Sequence, residues 1–179
     1  MRIRYSVAAG AAIVVATAGV AVAAPGDTTV TFSVSGGSLA VSVPSGPVGL
    51  GSGLPGNPVS GQLGNVTVTD ARALLTASWT ASVISGNFTT GGATSAETVP
   101  ASAVSYWSGT ATSTTGTGTF VPGQASVGQA QTLNVSRTAY SLTAGVGNNS
   151  ATWNPTLIVA IPSGAVNGSY TGTVTHSVA

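Results

Sequence analysis

Val66-Thr67-Val68-Thr69-Asp70-Ala71-Arg72, followed after a short apolar gap by Trp79-Thr80-Ala81-Ser82-Val83, reads as a strand, a tight polar turn and a second strand. Apolar side chains at 66 and 68, then at 79, 81 and 83, recur at every second residue. One face of the pair is therefore expected to be buried, with the largest side chain, Trp79, at its centre. Asp70 and Arg72 sit in the turn. A turn carboxylate accepting from nearby backbone N–H groups, tied to Arg72 as an ion pair, is the structural role expected of these two residues.

The same alternation recurs on both sides of this stretch. Val30, Phe32 and Val34 alternate, Gly36-Gly37 is suited to a tight turn, and Leu39, Val41 and Val43 alternate again, which predicts a hairpin over 28–43. From Pro44 to Gly64 four prolines and many glycines exclude a helix or a central strand, and predict a mobile surface element or a crossing from one sheet to another. Val99 to Trp107 predicts a strand whose start or exposed edge is marked by Pro100. Thr110 to Ala130 predicts a loop or a weak pair of strands, Leu133–Val135 and Tyr140–Leu142 short strands, and Gly145 to Ser150 a turn. Leu157, Val159 and Ile161 alternate once more, and after a turn at Pro162–Gly168 so do Tyr170, Val174, His176 and Val178. No amphipathic helical period is found after the first residues. About eight strands separated by Gly, Pro and Ser clusters predict an all-β fold, a single-domain antiparallel β-sandwich.

The first residues form a separate unit. Arg2 and Arg4 precede an apolar run from Ser6 to Val20, and Ala21-Val22-Ala23 supplies small residues for cleavage, so residues 1–23 read as a signal peptide and 24–179 as the exported domain. The run lacks the bulky Leu and Phe of stable spans, so no membrane span is expected once it is cleaved. The expected location is outside the cytoplasm, secreted or associated with the cell wall. Beyond residue 23 only Arg72 and Arg137 stand against Asp27, Asp70 and Glu97, and the chain has no Lys, so no basic patch exists to release phosphate counterions and nucleic acid is excluded as a partner. With 0 Cys, the exported domain must be held by burial and strand pairing, for which 42% hydrophobic residues suffice.

Catalysis has little to build on. There is no G-x-S-x-G elbow, no Cys nucleophile and a single His, so the chain is read as non-catalytic, with no metal and no cofactor. Gly51-Ser52-Gly53-Leu54-Pro55-Gly56 matches a dinucleotide fingerprint by letter, but Pro55 and the surrounding loop deny it the helix start it requires.

The stretch 66–72, then Trp79–Val83, Phe88 and Val99-Pro100-Ala101-Ser102-Ala103, resembles the first motif block of WxL-domain surface proteins of Gram-positive bacteria. Ile161-Pro162-Ser163-Gly164 with Gly168–Val178 is similar to that family's terminal block. The Lys-free, Ala/Thr/Gly/Val-rich composition fits an actinobacterial relative. The resemblance implies an exported β-rich domain attached noncovalently to the cell wall through peptidoglycan, with cell-wall glycan or other surface proteins as partners. Two positions depart from the family: Ala81 stands where the first motif has Leu, and His176 where the second has Trp. The aromatic residues are the candidate ligand contacts. Trp79 is a glycan-stacking candidate or a core residue, Tyr106 and Trp107 point to opposite faces of a strand, and Trp153 lies beside a loop signal where exposure is expected. A structural alternative within the same reading is a subunit of a surface fibre or adhesin assembled through β-strand pairing.

Overall fold

The computed structural model describes residues 28–179; the expected signal peptide at 1–23 lies outside them. Every strand falls within one compact unit, Val34–Ala179. The strands are β1 (Leu39–Ser42), β2 (Pro58–Gln62), β3 (Val66–Asp70), β4 (Ala77–Ser85), β5 (Phe88–Thr89), β6 (Thr98–Val99), β7 (Val104–Trp107), β8 (Ala111–Pro122), β9 (Gln131–Thr132), β10 (Arg137–Trp153), β11 (Thr156–Ala160) and β12 (Val174–Val178). All pairings are antiparallel. The described residues hold no α-helix, only three single turns of 3-10 helix.

The larger sheet is organised around β10, a strand of 17 residues. Tyr140 to Leu142 pair with β4 on one edge and β8 on the other, and Ser150 to Trp153 pair with β3 and β8. Since a strand has two edges, β8 runs the length of one while β4 and β3 share the other, end to end, interrupted by the turn at 71–76. The row outside them is split in the same way: β12 pairs with β4, and β1 with β3. The smaller sheet, in the order β2-β11-β7-β9, covers one face of the larger. Val66, Val68, Trp79 and Leu142 from one layer and Val104, Tyr106 and Leu157 from the other form a single buried cluster, making the two-layer sandwich expected from the alternation. β5 and β6 form a small third ladder beside it.

The expectations for five stretches are corrected or refined. No hairpin forms over 28–43: Thr28–Ser35 is exposed and outside any strand, and β1 pairs with β3 instead. Gly36 and Gly37 serve close approach rather than a turn. The Gly37 N–H donates to the Ala71 carbonyl at 2.6 Å, and a Cβ on Gly36 would collide with the Arg72 carbonyl. The stretch 44–64 does carry the chain from the larger sheet to the smaller, yet ends in an edge strand, β2, with Pro58 at its first residue, where no ladder N–H is needed. Thr110–Ala130 contains the 12-residue strand β8. Gly145–Ser150 is no turn but the middle of β10, where Ala144 (φ 54°) and Gly147 (φ 69°) adopt left-handed conformations within a bulge. The strand expected over 99–107 is divided by a helical turn at Ala101–Ala103.

Candidate functional site

The turn that follows β3 is fixed by a chain of hydrogen bonds that reaches the sandwich interior. Arg72 donates from Nε to Asp70 Oδ1 and from a terminal nitrogen to Oδ2, both at 2.9 Å, its backbone N–H donates to Oδ1, and the guanidinium also donates to the Ser78 carbonyl at 2.8 Å. Asn149 then links this pair to the core, its amide donating to Asp70 Oδ2 at 3.4 Å and its oxygen accepting from Trp79 Nε1 at 2.8 Å. The Arg72 hydrogen bond holds the Asp70 carboxyl below its ordinary value, against the upward push of burial. Asp70 and Arg72 thus form an ion pair within one turn, whose carboxylate also accepts from a backbone N–H. Asn149 was missed because its Gly- and Asn-rich surroundings read as a turn. Its parity with Ala151 and Trp153 was the available signal.

A second cluster lies under β12. Trp153 Nε1 donates to the Tyr106 hydroxyl at 3.0 Å, and that hydroxyl lies 3.3 Å from His176 Nε2. The Tyr106 hydroxyl and a neutral imidazole can share either's proton, the His176 tautomer deciding which of them donates. Burial lowers the His176 pKa to about 4 and raises that of Tyr106. Tyr140 stacks on Trp153 with ring centroids 5.0 Å apart, and Tyr140 also sits opposite Ala81, in the space beside that small side chain. Trp79 and His176 therefore both face inward.

Three of the four aromatic candidates are enclosed: Trp79 is 3% exposed, Tyr106 0% and Trp153 0%. The exposure expected of Trp153 is overturned. It pairs with Val66 on the inner face of the larger sheet, and the loop signal that follows it belongs to the next two residues. Trp107, on the opposite face of β7 from Tyr106, is half-buried, and its indole N–H has no hydrogen-bond partner among the described residues. No ring among the three enclosed ones can stack on a glycan without opening the fold.

Two accessible surfaces stand out among the described residues. The first is the outer face of the larger sheet. Register places Ser42, Thr67, Thr152 and Ser113 in one line across four strands, and Thr69, Ser150 and Thr115 in the next. Hydroxyls bond within each row, Thr67 with Thr152 at 2.9 Å and Thr115 with Ser150 at 2.7 Å, and elsewhere on the sheet Ser82 bonds with Ser177 at 2.9 Å. The second is an apolar slot at the open side of the sandwich. It comprises adjoining cavities of about 230 and 940 Å³ between the loop from Pro47 to Pro55 and the segment leading into β12, floored by Phe88 and Val159. His176 lies at its inner end. No charged side chain lines either cavity. Among the described residues no three His, Cys, Asp or Glu side chains converge as metal ligands would, and no helix is long and apolar enough to cross a membrane.

No protein-family model, no curated protein and no solved structure matches the chain. The geometry defines an antiparallel two-layer β protein with a hydroxyl-covered outer face and an uncharged slot.

Proposed function

We propose that the chain is an exported, non-catalytic cell-surface protein that associates noncovalently with the cell wall. The observation that carries this reading is the outer face of the larger sheet, where rows of Ser and Thr hydroxyls lie about 4.8 Å apart across strands, the spacing of paired strands. Such a face offers donors and acceptors to the hydroxyl and acetamido groups of peptidoglycan without any charge. The rows carry no aromatic side chain, so on this face hydrogen bonding, rather than sugar stacking, is the means of contact. Neither remaining acidic group of the described chain is free for acid–base work: Asp70 is held by Arg72, and Glu97 accepts from the Thr94 hydroxyl at 2.7 Å.

Residues 24–179 mixed with isolated cell walls and sedimented with them test the proposal, with an unrelated β-domain as control. The expected result is retention above the control, reduced when Thr67→Glu and Thr115→Glu place charges on the face. Retention equal to the control, or unchanged in the double variant, removes the assignment of that face. A second reading, a subunit assembled by strand pairing, is favoured by a separate observation: Val30, Phe32 and Val34 alternate along an exposed segment that belongs to no strand.

A further inference from the structure

Thr28–Ser35 carries Val30, Phe32 and Val34 at 81%, 87% and 77% exposure, all at one parity of an unpaired segment. Drawn out as a strand, the segment would present all three large apolar side chains on one face, which no described residue buries. Among the described residues none donates to or accepts from the backbone of 28–35.

The other half is found at the slot. Val43, Val48, Leu54 and Val166 line it and remain 51%, 42%, 71% and 44% exposed. Beside it runs an open backbone edge. β12 is the last strand of its sheet and is bonded on one side only. Just before it, Thr171 exchanges both its backbone bonds with Thr89, so the backbone groups of Tyr170 and Gly172 face the other way, and no partner for them occurs among the described residues. An eight-residue extended segment spans about 26 Å, matching the nine residues from Tyr170 to Val178.

We infer that the segment Thr28–Ser35 of one copy of this chain adds as a strand along the Tyr170–Val178 edge of a second copy, seating Val30, Phe32 and Val34 in the uncharged slot. This deepens the strand-pairing reading and rests on it. Backbone bonds supply the pairing and the alternate side chains supply the fit, and since both surfaces are uncharged, no ionic contact takes part. Each copy has one donor and one acceptor on different surfaces, so the contact is head-to-tail and propagates into a linear array.

Sedimentation velocity of residues 24–179, which contain every strand of the fold, tests this beside the Phe32→Asp variant. Concentration-dependent oligomers are expected, and Phe32→Asp weakens assembly roughly tenfold to a hundredfold, the effect of losing one buried phenyl ring, with circular dichroism unchanged. The chain has no Cys, so Phe32→Cys chains mixed with Val48→Cys chains are expected to form a disulfide-linked mixed dimer. Phe32→Cys mixed with Val121→Cys, on the far edge strand β8, is expected not to. Oligomers that survive Phe32→Asp overturn the donor assignment but leave a strand-paired subunit standing. A chain that stays monomeric at every concentration overturns both. A crosslink formed within single monomers of the Phe32→Cys/Val48→Cys double variant means the segment closes its own slot, and overturns the second-copy assignment.

Discussion

Asp70 is the residue on which the turn after β3 depends. Its carboxylate is enclosed (1% exposed) and serves Arg72 and Asn149, and through Asn149 the Trp79 indole. Replacing it with Ala leaves the Asn149 amide without its acceptor and Arg72 without its partner, and is expected to cost about 2–4 kcal/mol in urea unfolding. Asp70→Asn, which keeps an acceptor, costs less. His176 makes a separate, pH-dependent contribution. Its pKa falls from 6.5 in the unfolded chain to about 4 in the fold. Between those values the unfolded chain binds the proton and the folded chain does not, so stability present above pH 6.5 declines as the pH drops toward 4, by about 3 kcal/mol in all. The groups facing the imidazole are Tyr106 and Trp153, neither of them charged. His176→Phe is expected to be about 1 kcal/mol less stable at neutral pH, with the Tyr106 hydroxyl losing its hydrogen-bond partner, yet nearly flat over that window. Asp70 acts lower. Its folded pKa lies below 3.8, so its stabilisation is intact above that value and disappears only as the pH falls further. Thermal melts of the two variants at graded pH separate the two windows.

Among the elements, β8 and β10 show best what tertiary pairing does to a weak local signal. Gly118, on β8, has φ 128°, and an added Cβ would press on Leu142, the Gly145 backbone and the Thr143 carbonyl at 2.6–3.0 Å. Gly118→Ala is therefore expected to destabilise by at least about 1–3 kcal/mol in urea. Gly164→Ala, where the space is open and the backbone unstrained, leaves the midpoint nearly unchanged. The bulge that Gly118 permits is the reason 145–150 misled the sequence reading. Glycine and asparagine, which usually turn a chain, here let a 17-residue strand pass three neighbours while keeping Asn149 and Trp153 facing inward. β3, β4, β11 and β12 were legible because each has one dry and one wet face, so burial imprints period two on the sequence. β8 has no dry face over residues 112–119, all exposed, and left no imprint. Likewise the ion pair at 70 and 72 was legible because both partners lie within one turn, whereas Asn149, the slot and the enclosure of Trp153 arise from residues that only folding brings together.

At the scale of the whole molecule, near-absence of charge sets the expectation for binding. Retention on cell walls through uncharged hydroxyl rows is expected to change little between about 50 and 500 mM NaCl, whereas a charge-driven contact weakens steeply over that range. A strong salt dependence in the wall co-sedimentation would falsify the outer-face assignment. The split outer row has a different outcome. β1 and β12 run in the same direction along it and touch, with Gly37 bonded to Ala71 and Ala179 exchanging both backbone bonds with Thr80. The compact unit's first and last strands are thus neighbours on one border. A circular permutant, with a glycine linker from Ala179 to Gly37 and new termini cut in the exposed loop at 125–128, should retain all strand pairings while freeing the segment before Gly36 to be supplied as a separate peptide.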